Sequence, residues 1–101
     1  MEKNIKLSML LEMYGKLLTA KQFDAVDLYY NQNLSLSEIA EYGNITRQGV
    51  RKNLVEGEKK LQEYEEKLHF LEQKLAKDKI IEELIQETED VSFKEKLEKL
   101  L

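Results

Sequence analysis

The absence of proline is the feature that most narrows what this chain can fold into. Its 101 residues contain no Pro and only four Gly. Because these two residue types interrupt helices most strongly, the chain contains few helix breakers. Leu, Lys, Glu, Gln and Ala, which favour helices, dominate the sequence. The sequence therefore predicts an all-α fold, built as one small helical domain with an extension.

The cysteine and histidine contents exclude several functional classes. The chain has no Cys and a single His, which rules out a disulfide framework, a thiol nucleophile and a Cys-based or multi-His metal site. No apolar run approaches the roughly 18 residues of a membrane span, and the start lacks the apolar region of a signal peptide. We expect a cytoplasmic protein that is no enzyme, binds no cofactor or metal and does not associate with membranes.

Charge is distributed unevenly along the chain, whose formal net charge is −4. Residues 1–55 carry seven Lys or Arg and six Asp or Glu, a net charge of +1. Residues 56–101 carry nine Lys and fourteen Asp or Glu, a net charge of −5. The two Arg residues of the chain, Arg47 and Arg51, lie within a window of five residues. The acidity thus belongs to the second half, and the first half has one basic spot.

Three sequence signatures predict where helices begin. Each has the pattern of a capping box, in which a Ser or Thr precedes a Gln or Glu by three residues: Thr19–Gln22, Ser35–Glu38 and Ser92–Glu95. Upstream of the first box, apolar residues from Leu7 to Leu18 recur every three or four positions, which predicts an amphipathic helix.

The spacing of five residues predicts a helix-turn-helix. The motif needs a small residue where two helices cross, here Ala40, and four positions later a residue that tolerates positive φ, here Asn44. Ile45 is expected to fill the gap between the helices. Val50 and Leu54 are expected to face the core.

The second helix of this motif is predicted to present a polar face to nucleic acid. At about 100° per residue, Gln48, Arg51 and Lys52 lie on the side opposite Val50 and Leu54, with Arg47 on the flank. Arg can pair with guanine, Gln with adenine, and Lys or Arg with phosphate, while the start of the shorter helix can hold a further phosphate. The candidate contact residues, for which DNA is favoured over RNA, are Ser35, Ser37, Thr46, Arg47, Gln48, Arg51 and Lys52.

Beyond the motif, leucines recur every seven residues from Leu54 to Leu75 in a pattern typical of a coiled coil. We expect residues 1–55 to form the helix-turn-helix bundle and residues 56–101 a long helix with a C-terminal helical extension. The apolar residues there either pack within one chain or form a homodimer, which we favour. The residues assigned to this packing are Leu61, Tyr64, Leu68, Leu71, Leu75, Ile81, Leu84 and Ile85.

An ordered set of short motifs resembles the YlxM-like proteins, which are small bacterial helix-turn-helix proteins similar to region 4 of sigma-70 factors. The resemblance covers about residues 1–75. The motifs that carry it are Tyr14–Gln22, Leu28–Tyr30, Ser35–Glu41, Thr46–Val50 and Tyr64–Leu68. It implies a sigma-70 region 4-like helix-turn-helix, of the winged-helix-like DNA-binding class without a wing, followed by a long C-terminal helix.

The resemblance also implies a function. The family has a regulatory or accessory link to the bacterial signal recognition particle pathway, so components of the particle are expected partners. The family's Ser-Arg-Gln start of the second helix corresponds to Thr46, Arg47 and Gln48, whereas an aromatic residue and an acid of the family are replaced by Arg51 and Lys52. This more basic face favours nucleic acid. The alternative is a protein- or RNA-binding accessory of the particle without a specific DNA target.

Overall fold

The computed structural model describes residues 5–101, which contain α-helices and short helical turns and no strand. The predicted all-α class is therefore confirmed. A 3₁₀ turn follows the first helix at Gly15–Leu17, and a π-helical turn extends the second at Asp27–Asn31. The helices are α1 (Ile5–Tyr14), α2 (Ala20–Val26), α3 (Leu36–Gly43), α4 (Arg47–Leu68), α5 (Phe70–Glu87) and α6 (Val91–Glu98).

Two of the three predicted capping boxes start helices. Thr19 and Gln22 form a complete box at α2, and Ser35 and Glu38 form one at α3. The third prediction is wrong, because α6 is capped by Asp90, whose side chain accepts a hydrogen bond from the amide of Phe93 at 3.1 Å. Asp is as good a cap as Ser, and it lies where the chain turns out of α5.

The chain divides into two compact units after Leu68. In the first unit, α4 packs against α1, α2 and α3, so one long helix organises the whole unit. The side chains of Leu10, Val26, Val50 and Leu61 are almost completely buried. Helix α4 continues past residue 55 into this core. The division after Leu68 therefore reflects how the helices pack, whereas the expected division at residue 55 coincides with the change in net charge along the chain.

A glycine permits the closest approach between α2 and α4. Gly57 is buried, and a Cβ atom built on it would lie 2.9 Å from Cγ2 of Val26 and 3.3 Å from the carbonyl oxygen of Gln22. Real Cβ atoms essentially never come as close as the first distance. Gly57 is therefore a contact site between two helices.

Two tyrosines tie the N-terminal helices to α4. The hydroxyl of Tyr14 donates to Oε1 of Glu65 at 2.6 Å, and that of Tyr30 donates to Oε2 of Glu58 at 2.8 Å. Burial, and then the hydrogen bond and charge of Glu58, raise the pKa of Tyr30 above its ordinary value. Tyr30 therefore remains a neutral donor to the carboxylate throughout the physiological pH range.

A left-handed residue separates α4 from α5. His69 has φ 55° and ψ 26°, and its Nδ1 lies 3.1 Å from Oε2 of Glu72. The leucine repeat predicts one helix across this point, but the structure has two. Leu54 and Leu61 are buried, whereas Leu68 is 39% and Leu75 is 47% exposed. The repeat is therefore not one continuous buried stripe.

The second unit is small. It consists of α5 and α6, which pack against each other and contribute one almost fully buried leucine each, Leu71 and Leu97. Ile81 and Ile85 are partly buried. Across residues 5–101, no helix combines the length and apolar character that crossing a membrane requires.

Gly57→Ala tests the close contact between α2 and α4. The added methyl group must displace Val26 or the Gln22 backbone, and overpacking of this kind costs about 1–3 kcal/mol. We expect the urea unfolding midpoint to fall by the equivalent of about 1–2 kcal/mol, since Ala is itself a better helix former than Gly.

Gly43→Ala is the matched control, because a Cβ atom there would meet only Cγ1 of Ile45 at an ordinary 3.8 Å and φ at Gly43 is not positive. Its midpoint should stay unchanged or rise. Equal midpoints for Gly57→Ala and Gly43→Ala would contradict the close approach.

Candidate nucleic-acid interface

The turn between α3 and α4 is closed by Asn44. Its backbone has φ 52° and ψ 46°, the left-handed conformation predicted for this position. The amide of Asn44 donates to the carbonyl of Glu41 at 3.3 Å, and that of Ile45 donates to the carbonyl of Ala40 at 3.0 Å. This pair of bonds is the Schellman arrangement, which satisfies the last carbonyls of α3. The helix thus ends sharply, and the chain reverses toward α4.

Thr46 sets the starting point of α4. Its Oγ1 accepts a hydrogen bond from the amide of Gly49 at 3.0 Å, and its carbonyl accepts one from the amide of Val50 at 3.1 Å. A hydroxyl at this position is a standard N-cap. Arg47 and Gln48 are therefore the first two residues of the helix, at the end that a helix-turn-helix directs toward DNA.

The two sides of α4 differ in chemistry over its first two turns. Val50 is fully buried and packs in one cluster with Ile39 and Ala40 of α3, while Leu54 is also buried. The crossing at Ala40 that the spacing predicts is thereby confirmed. Four polar residues of the same turns are exposed: Arg47, Gln48, Arg51 and Lys52.

Three of these residues line one open depression. Arg47, Gln48 and Arg51 surround it together with Leu36, the first residue of α3, and its volume is about 230 Å³. Leu36 is partly buried, because it also packs against the Ile39–Val50 cluster. Sequence reasoning missed Leu36 as a surface residue. The signal that identifies it is structural, since only the crossing of α3 and α4 brings it beside the arginines.

The start of α3 is already occupied by its own cap. Ser35 Oγ accepts from the amide of Glu38 at 3.1 Å, and the amide of Ser35 donates to Oε1 of Glu38 at 2.9 Å. Ser37 is exposed on the same turn. The capping box therefore sets a carboxylate beside the position expected for a phosphate, and positive charge at the interface comes from α4 alone.

On the other side of the turn, Ile45 does not fill the gap between the helices. Its side chain is 44% exposed and lines a cavity of about 180 Å³, together with Leu28 of the π-helical turn and Tyr42 of α3. Tyr42 is 76% exposed. The expectation for Ile45 was wrong, because the buried cluster at the crossing consists of Val50, Ile39 and Ala40 and does not include Ile45.

The residues assigned to dimerisation or packing fall into two groups. Leu61 and Leu71 are buried within the chain, and the ring of Tyr64 lies 5.9 Å from that of Tyr14. Ile81 and Ile85 are partly covered. The remaining members leave much of their surface exposed: Leu68, Leu75 and Leu84.

Comparison with known proteins agrees with this geometry. The model of the UPF0122 family, described as "Putative helix-turn-helix protein, YlxM / p13 like", matches residues 1–101. The chain belongs to the UPF0122 family. The YlxM-like resemblance found in the short motifs is thereby confirmed.

Several UPF0122 proteins from bacteria are similar to this chain. One from Clostridium botulinum is 38% identical over 109 residues, spanning 99% of this chain and all of that protein. One from Lactococcus lactis subsp. cremoris is 44% identical over 84 residues, spanning 83% of this chain and 76% of that protein. One from Clostridium kluyveri is 50% identical over 74 residues, spanning 73% of this chain and 67% of that protein. The UPF0122 assignment therefore rests on nearly the whole chain.

Asn44→Ala and Asn44→Gly test whether the left-handed turn holds the interface together. Alanine pays a steric cost in this conformation of about 1–2 kcal/mol, which glycine does not. We expect Asn44→Ala to lower the free energy of unfolding by about 1 kcal/mol relative to Asn44→Gly. Chemical denaturation measures both. Equal stabilities of the two variants would show that residue 44 does not need positive φ.

Proposed function

We propose that the chain is a non-enzymatic regulatory protein that binds double-stranded DNA through the first two turns of α4. The observation that carries this proposal is the open depression at the start of α4, which is lined by the exposed residues Arg47, Gln48 and Arg51. The family description, a helix-turn-helix protein, supports the same mode of action. In this mode α4 enters the major groove, while α3 crosses the DNA backbone.

The chemistry of the depression suits the edges of base pairs. Arginine pairs with O6 and N7 of guanine through two hydrogen bonds, and glutamine does the same with N6 and N7 of adenine. Leu36, which lines the same depression, offers an apolar surface for the methyl group of thymine. Lys52, exposed on the next turn, is suited to a phosphate.

We also propose that the chain acts in the signal recognition particle pathway and that it forms a homodimer. The YlxM-like resemblance supports a link to the signal recognition particle pathway. A homodimer is supported by the low number of positive charges on one face, because two copies double the phosphate contacts and so strengthen binding.

A second candidate function is a protein- or RNA-binding accessory of the signal recognition particle. The observation that favours it is the apolar surface beside the turn, where Tyr42 and Ile45 are exposed next to a cavity. Exposed apolar groups of this kind are common where proteins meet. Cross-linking followed by sequencing of the bound nucleic acid separates the candidates. DNA fragments that share a short sequence support the first, and recovery of the particle's RNA alone supports the second.

The double variant Arg51→Ala with Lys52→Ala tests the DNA-binding face. Each lost phosphate contact reduces the dependence of log affinity on log salt by about one unit. We expect weaker binding to duplex DNA and a salt slope smaller by up to about two units, measured by fluorescence anisotropy between low and physiological salt.

Lys16→Ala with Lys67→Ala is the matched control. Both lysines are exposed in the first unit and lie outside the depression, so the net charge changes equally. This control should retain the wild-type slope. If both double variants weaken binding to the same extent, general charge and not the α4 face is responsible, and the proposal fails.

A further inference from the structure

The second unit leaves most of its large apolar side chains exposed. In a 33-residue unit of two helices, only Leu71 and Leu97 are almost fully buried. Those with more than a third of their surface exposed are Phe70, Leu75, Ile80, Leu84, Val91, Phe93, Leu100 and Leu101. A unit this small rarely covers its own apolar surface, and exposed apolar surface of this extent is typical of an interaction site.

One exposed stripe runs along the side of α5 that faces away from Leu71. At about 100° per residue, Ile80 lies about 180° around the helix from Leu71, and Ala76 and Leu84 lie within about 40° of Ile80. Ile80 is 57% and Leu84 is 38% exposed. Nearer the Leu71 side, Ile81 and Ile85 are partly buried, although Leu75 is 47% exposed. The stripe is therefore a second apolar face of α5, distinct from the one already covered.

Charge along α5 changes sign near the middle of this stripe. From Phe70 to Lys79 the helix carries three Lys and two acids, and from Ile80 to Glu87 it carries three Glu and no base. Within the first half, Lys74 pairs with Asp78 at 2.6 Å, so its net positive charge is carried by the remaining lysines. A helix with oppositely charged halves is complementary to an inverted copy of itself.

We propose that the partner is a second copy of this chain, bound through an antiparallel pairing of α5 with α5 centred on Ile80. In this arrangement Ile80 meets its own counterpart, and Ala76 of each copy meets Leu84 of the other. The basic half of each helix then faces the acidic half of its partner. A parallel pairing would instead bring the three Glu residues of each copy together, which is unfavourable. The interface is isologous, as in most homodimers.

The antiparallel pairing also fixes where the two helix-turn-helix units are attached. His69 precedes Ile80 by 11 residues, so the two His69 positions lie about 33 Å apart along the helix pair at about 1.5 Å per residue. The inference rests on the homodimer of the proposed function and names its interface.

Ile80→Lys tests the interface in the full chain. Because both copies lose the apolar contact and gain facing charges, we expect the dissociation constant of the dimer to rise at least about tenfold, measured by sedimentation equilibrium. Leu75→Lys, on the same helix but off the stripe, is the control and should change it less than about threefold. Circular dichroism checks that helix content is kept, since both side chains are about half exposed.

Cysteine cross-linking tests the direction of the pairing, and the chain is well suited to it because it has no native Cys. With a short thiol cross-linker, Ile80→Cys should link to itself. Gln73→Cys should not, because the two copies of residue 73 are about 21 Å apart, but it should link to Glu87→Cys in a mixture of the two variants. Self-linking of Gln73→Cys and of Glu87→Cys separately would show a parallel pairing and overturn the proposal.

The outcomes also separate this inference from the homodimer itself. A chain that stays monomeric at tens of micromolar overturns both the homodimer and this interface. A dimer that survives Ile80→Lys and dissociates with Leu75→Lys keeps the homodimer but moves its interface to the leucine repeat, which overturns the inference alone. DNA binding by a strictly monomeric chain would leave the DNA-binding proposal standing.

Discussion

The left-handed conformation of Asn44 is the constraint on which the rest of the first unit depends. It ends α3 after Gly43 and lets the amide of Ile45 return to the carbonyl of Ala40. Thr46 then caps α4. Because these three residues fix both helix ends, Val50 reaches the core and the polar residues beside it reach the surface. The candidate interface is therefore a consequence of backbone geometry, and no side chain in it needs a special environment.

The charge of the chain is consistent with nucleic-acid binding once the charges of its segments are counted separately. A net charge of −4 argues against nucleic acid when the chain is treated as uniform. The acids, however, are concentrated after residue 55, and no acid occurs between Glu41 and Glu56, a segment that contains the turn and the first two turns of α4. The positive charge of this segment is small. A second copy of the chain doubles the number of phosphate contacts and so strengthens binding.

The parts of the fold that sequence alone predicted are those set by local rules. The crossing at Ala40 and the turn at Asn44 follow from steric demands at fixed spacing. What sequence could not predict depends on packing between distant segments. His69 interrupts a helix although helix-forming residues surround it, Asp90 replaces Ser92 as a cap, and Ile45 is exposed because Val50 completes the crossing. The depression was predicted only in part, since its residue from α3 is identified by the crossing and not by any motif.

We propose that the first two turns of α4 meet nucleic acid. Titration of the isotope-labelled full chain with duplex DNA, followed by amide chemical shifts in NMR spectra, tests this proposal residue by residue. We expect the largest shifts on residues 35–37 and 46–55, with small changes along α5 and α6. Saturable shifts confined to α5 and α6, or no shifts at low salt, would contradict it.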